Sequence, residues 1–197
     1  MTIPADVPEP GGRAPAPGLE LHRLQDFVNT NDVEAGRDAL GTPQQLRDWL
    51  VSAGAIDPAA RVNADAHARA LAVREGLRAL GLANNQEAVD RERLAAMNRA
   101  ASDLALVPAI ADSTTWRLAP APRGVDGYLA GLLATLVMAM ADGSWMRMKA
   151  CRNDACQWLF FDQSRNRSGT WCTMAICGSR MKARAYRARQ REESPAT

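Results

Sequence analysis

Cys151 and Cys156 are separated by four residues, fifteen follow, and Cys172 and Cys177 are again separated by four. Zinc takes four soft ligands at the corners of a tetrahedron, and two short loops that each offer two thiolates supply that arrangement at small conformational cost. With sulfur in every position no place is left for an activated water. One Zn2+ here would therefore be structural and would contribute folding energy, about 10 to 16 kcal/mol in small domains of this kind. Spacing alone also admits four buried free cysteines, or two disulfides in any of three connectivities. The opening stretch MTIPADVPEPGGRAPAPG has no apolar run able to act as a secretory h-region. A cytoplasmic location is expected, and thiols kept reduced there favour metal over disulfide. His22 and His67 lie far from the cluster and read as ordinary surface or boundary histidines.

The residues between and after the pairs must bring the ligands together. Trp158-Leu159-Phe160-Phe161 has strand composition, Asp162 to Gly169 is a polar turn, and Thr170-Trp171 begins a return strand. In that hairpin Trp158, Phe160 and Phe161 are core side chains more readily than a stacking platform. Thr173-Met174-Ala175 resembles a helix start, which puts Cys177 in or near the first turns. The expectation is a treble-clef-like zinc module of β-hairpin and helix over 145–191, with a tail at 192–197.

The formal net charge of +2 hides a division: residues 145–191 hold eleven Lys/Arg against Asp154 and Asp162, net +9, leaving net −7 for the remainder. With Arg180 at zero and about 100° per residue, Arg184, Arg187 and Arg191 fall within about 40° of it, on one helix face. Lys182 and Arg189 fall on nearly the opposite side, and Met181, Ala185 and Ala188 form a narrow face suited to docking. Such arginines suit phosphate oxygens and guanine edges, and Arg165 and Arg167 in the turn can hold a neighbouring phosphate. The expected nucleic-acid contacts are thus Arg165, Arg167, Arg180, Lys182, Arg184, Arg187 and Arg191. The plainer alternative is a solvated charged helix, or one that docks on an acidic surface.

Upstream, a tail at 1–18 precedes a helical domain at 19–143. Leu21, Leu24 and Val28 share a face of a short helix ending near Asn31; Thr42-Pro43 and Gly54 bracket a second around Leu46, Trp49 and Leu50. Asp57-Pro58 repeats the start signal before a long helix from Ala64 to Leu82, with Gly81 near its stop. Asn84-Asn85 breaks the pattern ahead of a helix from about Glu87 to Ser102 carrying Val89, Leu94 and Met97. Residues Leu104 to Pro122 suit a short hairpin. Gly124 to Asp142 is apolar nearly all round, as a helix surrounded by others would be, and its run of about 14 apolar residues is short of the roughly 20 that cross a bilayer. The fold class is mainly α, with a small hairpin excursion and no repeat.

The segment CRNDACQWLFFDQSRNRSGTWCTMAICGSRMKARAYRARQR resembles the CGNR zinc finger, whose pattern is a cysteine pair, W-L-F-x-D-x-S-x-N, W-C, C-G-N-R and a basic helix. Asp162, Ser164 and Asn166 fit; Ser179 stands in place of the name-giving asparagine, and Ser168-Gly169 in place of the usual basic pair. Gln25 to Thr30, the stretch TPQQLRDWL and Leu71 to Glu75 are similar to the ABATE domain that precedes this finger. The resemblance implies a bacterial, stress-linked transcription regulator with one structural zinc and a helical domain for sensing or dimerisation. DNA, a second copy or partner regulator, and a small-molecule effector are the expected partners, with no membrane.

Alternatives are a zinc-dependent protein adaptor, and a small-molecule-binding protein that touches no nucleic acid. No cysteine–histidine or serine–histidine pair, glycine-rich phosphate loop or metal-ligand histidine motif is found, so an enzyme is not expected. Asp26 with Glu75 is conceivable as an acid pair, and Arg74 beside Glu75 as a buried ion pair that needs a partner.

Overall fold

The structure, a computed structural model, describes residues 16–193, so the expected tails lie outside the described residues over 1–15 and 194–197. Three helices begin where a side chain can accept an orphan backbone N–H. Thr42 caps α2 (Pro43–Ser52), Asn63 caps α3 (Ala64–Ala83) and Asp90 caps α4 (Arg91–Ala101). Asp57 does not start a helix: its carboxylate accepts the Ala59 N–H and closes a tight turn, and the start passes to Asn63. Likewise α4 begins at Arg91, not near Glu87, and Val89 ahead of its cap is 52% exposed. Ala16 is buried and donates its N–H to Gln25 Oε1 at 2.7 Å, so the packed chain starts ahead of α1 (Leu19–Asn29).

Two small hairpins decorate this part. β1 (Asn31–Asp32) pairs with β2 (Arg37–Asp38), and β3 (Leu106–Ile110) with β4 (Trp116–Pro120), where the chain changes to β-branched and turn residues. α5 (Gly124–Ala141) is the longest apolar helix and would cross a membrane by length and composition, but it packs against α1, α3 and β4. It is not surrounded. Val137 and Met140 are 46% and 47% exposed, because only one side of α5 meets other elements. Phe27, Trp49 and Tyr128 close a triangle of rings with centroids 5.8 to 5.9 Å apart, tilted or edge-on as the aromatic quadrupole favours.

A third hairpin, β5 (Met148–Ala150) with β6 (Leu159–Phe161), lies on α3. Gly81, near the end of α3 as expected, makes this approach possible: a Cβ there would meet Leu159 Cδ1 at 2.5 Å and the Ala150 N at 3.1 Å. Met148, Ala150 and Leu159 are buried in the same core as Phe27, Leu77 and Leu129. Under the hairpin sits a cluster of charge. Arg74, 3% exposed, forks onto Asp38 at 2.6 and 2.8 Å and donates from Nε to Glu75; Arg78, fully buried, donates to Glu75, to the Val28 carbonyl and to the Gln157 carbonyl. Burial disfavours their charged forms, yet the guanidiniums hold the Asp38 and Glu75 carboxyls below the usual range. The buried partner that Arg74 needs is thus Asp38 together with Glu75. Asp26 lies 3.3 Å from His22, whereas Glu75 is held by Arg74 and Arg78.

Candidate metal centre and basic helix

β5 ends at Ala150 and the next residue is Cys151, whose N–H donates to Trp158 O at 2.9 Å, so the first cysteine pair occupies the loop of the β5–β6 hairpin. Asn153 shapes that loop by accepting the Cys156 and Gln157 N–H groups on its carbonyl at 2.7 and 3.0 Å. This corrects the expected hairpin. The strand at Leu159–Phe161 pairs backwards with Met148–Ala150, and Thr170-Trp171 forms no strand; Thr170 O instead accepts from the Arg152 N–H and from Asn85 Nδ2. The physical reason is Asp162. Its buried carboxylate takes Lys149 Nζ at 2.8 Å and the N–H groups of Ser164 and Gly169, which curls 162–169 into a closed loop. Gly169 must stay small, because a Cβ would sit 2.6 Å from Asp162 Oδ1.

Along β6 the side chains alternate between two tasks. Trp158 and Phe160 are buried with the four cysteines, while Leu159 and Phe161 face the helical core. Polar groups of the helical part hold the outer edge of this strand and its neighbours. Asn29 exchanges two hydrogen bonds with the backbone of Leu159, and Gln25 donates to the same carbonyl. Asn84 donates to Trp145 O and Met148 O, and Asn85 to Ala150 O and Thr170 O. None of these was picked out by the sequence pattern as a site. The readable signal was Gln25 and Asn29, four apart within the apolar face of α1; Asn84-Asn85 passes for an ordinary helix stop.

All four cysteines are free and buried, and their sulfurs lie within 4.8 Å of one another. Sulfurs about 2.3 Å from a central Zn2+ stand about 3.8 Å apart at tetrahedral corners. Cys156 to Cys172 is 3.7 Å and Cys172 to Cys177 is 3.5 Å, whereas a disulfide needs about 2.05 Å. The donor set fits one zinc ion. Crowding divides the thiols: hydrogen bonds from Cys156 and Cys172 pull Cys151 down to about 4, and the presence of Cys151 pushes Cys156 and Cys172 up. Four thiolates in so small a volume would repel one another, and a zinc ion among them would offset that charge. Asn153 Nδ2 donates to Cys177 Sγ at 3.7 Å and orients that ligand.

Thr173 caps the π turn Met174–Gly178 that carries Cys177, where a helix start was expected, and α6 (Ser179–Glu193) follows at once and ends two residues beyond the expected module. Ser179, at the position of the motif asparagine, donates its hydroxyl to Met174 O at 3.1 Å and ties helix to turn. From there α6 leaves the body of the protein. Ala185 and Ala188 are exposed and only Met181 is half-covered, so the expected docking face is not used. Lys182, Arg184, Arg187 and Arg191 are exposed, as are Arg165 and Arg167 on the 162–169 loop. Arg180 is also exposed but pairs with Glu34 of the β1–β2 turn.

Residues 147–190 match the CGNR zinc finger, and residues 21–143 match the ABATE family, described as "Putative stress-induced transcription regulator". The chain belongs to the ABATE family. No curated protein matches the chain. Within this ABATE protein, the CGNR finger supplies the four thiolates, and the ABATE helices α1 and α3 hold the finger through Gln25, Asn29, Arg78, Asn84 and Asn85. The family description gives the larger domain as that of a "putative stress-induced transcription regulator", and the finger that follows it carries four cysteines placed to hold a metal ion.

Proposed function

We propose that this ABATE protein acts by binding DNA, with the 162–169 loop held by Asp162 and α6 anchored at the zinc centre together forming one cationic surface. The observation that carries this reading is the exposure of α6: Arg184, Arg187 and Arg191 stand along one stripe with no acidic side chain between Arg180 and Arg191. At about 1.5 Å per residue, its 15 residues run about 22 Å, a length that the major groove of duplex DNA admits. Arginine forks suit phosphate oxygens for affinity and guanine edges for selection. Arg165 and Arg167 would take phosphates beside the groove.

The zinc ion, when bound, supplies no reactive water; it fixes Cys177 and through it the start of α6. The activity proposed is non-enzymatic regulation in the cytoplasm. One helix reads few bases, so specific recognition is assigned to a homodimer or to a pair with another regulator. A salt-titrated binding assay on duplex and single-stranded DNA tests the reading: log affinity should fall linearly with log salt, by about 0.9 per phosphate neutralised. Absent or salt-insensitive binding, with zinc-dependent capture of a protein partner, would favour an adaptor instead.

A further inference from the structure

α1 works on two sides. Gln25 and Asn29 hold the backbone of β6, whereas Glu20, Leu21 and Arg23 form one wall of a groove whose other walls are β4 and α5. The groove has a volume of about 600 Å³, within the roughly 300 to 1,000 Å³ typical of small-molecule sites. Leu21, Leu118, Pro120, Ala134 and Met138 give it apolar walls, and Gly131 keeps its middle open. Thr135 brings no unmet polar demand, because its hydroxyl donates to the Gly131 carbonyl at 3.1 Å.

The charges at the rim decide what can enter. Glu20 is taken by Arg23 at 3.2 Å, while Asp142 keeps its negative charge at the Ser144 end of the groove, where it accepts the Ser144 N–H at 2.8 Å. The cation at the β4 end is Arg117, exposed and with no ion-pair partner among the described residues. A guanidinium beside an apolar groove matches a molecule with one anionic group and an apolar body.

We propose that this groove binds a small organic anion, its carboxylate or sulfonate on Arg117 and its apolar body between Leu118, Met138 and Leu21. The same helix α1 then touches the ligand on one side and the strand of the metal centre on the other, which makes the groove the effector site of the regulator. The site needs neither zinc nor DNA for its recognition chemistry, so its test is separate from that of DNA binding.

The experiment uses the full zinc-loaded chain and two fluorescent probes of one shape, anilinonaphthalene sulfonate and uncharged phenylnaphthylamine. One saturable site is expected, with the sulfonate bound about tenfold more tightly, the size of one charge-assisted contact. Arg117→Gln should erase that preference while leaving the uncharged probe unaffected. Gly131→Leu should weaken both probes about tenfold or more at an unchanged unfolding midpoint. Arg184→Ala with Arg187→Ala should change neither affinity. Equal affinities for the two probes, a preference that survives Arg117→Gln, or loss of binding with the α6 arginines would overturn the proposal; were Gly131→Leu to misfold, the exposed Arg117→Gln still decides.

Discussion

Asn29 meets Leu159 as a neighbouring strand would: Oδ1 accepts the Leu159 N–H at 2.8 Å and Nδ2 donates to the Leu159 carbonyl at 2.9 Å. A helix side chain thereby completes the edge of β6, 130 residues further along the chain. Asn29→Ala would leave that N–H buried without an acceptor, while Gln25 still serves the carbonyl at 3.3 Å. With about 1 to 3 kcal/mol lost for each buried group left unpaired, the variant should be about 2 to 4 kcal/mol less stable. Urea unfolding at a fixed m-value reads this directly.

Arg78 is fully buried and its donors serve the Gln157 carbonyl at 2.8 Å and the Val28 carbonyl at 2.7 Å, besides Glu75. Removing one member of such a group strands the others, so Arg78→Met should cost about 3 to 5 kcal/mol. Arg78→Lys should recover little, since a single ammonium cannot reproduce the fork. Because Gln157 follows Cys156, both variants should also release zinc faster to a chelating dye; an unchanged release rate would show that the knuckle does not depend on Arg78.

The Asp162 carboxyl illustrates how acid acts on this module. Burial opposes its charge, but hydrogen bonds from Lys149, Ser164 and Gly169 outweigh that and hold it at about 2. An ordinary aspartate titrates near ~3.9. A folded value below the unfolded one gives stability that is present above about pH 4 and is lost as pH falls towards 2, about 2 to 3 kcal/mol in all. Asp162→Asn should therefore be clearly less stable than the parent at neutral pH, and the gap should narrow as the two are unfolded at successively lower pH. A gap independent of pH would assign the loss to packing.

For DNA, the double variant Arg184→Ala with Arg187→Ala removes two charges from the exposed stripe of α6. Each phosphate contact contributes about 0.9 to the salt slope, so the slope should flatten by about 1.8 at an unchanged unfolding midpoint. Flattening without loss of stability separates a contact role from a folding role.

The zinc ligands were legible in the sequence because their geometry is local: two pairs at equal spacing, a capped turn and a helix start all fall within 151–180. Helices α2, α3 and α5 were legible from periodicity and from their flanking turn residues. The partner of β6 was not, since Met148-Lys149-Ala150 is too short to announce a strand and its choice depends on Asn29, Asn84 and Asn85 arriving from far upstream. Gly81 has a packing role that was hidden for a related reason. Near the end of a helical run it has the look of a stop signal, and only the packed hairpin reveals that the missing side chain is what matters. The free course of α6 was also hidden, because alanines at helical spacing look the same whether they dock or face water.

The alternation along β6 has a consequence for how such proteins can be recombined. Trp158 and Phe160 belong to the metal centre, and Leu159 between them belongs to the helical core. A finger cut free of its helices would bring Met148, Ala150 and Leu159 into water together and leave the Leu159 N–H without Asn29. Grafted behind an unrelated domain it would lack the asparagines that grip it. The folding unit joins the finger to its helices, and an exchange of fingers between relatives should keep the fold only where the receiving α1 and α3 bring matching clamps.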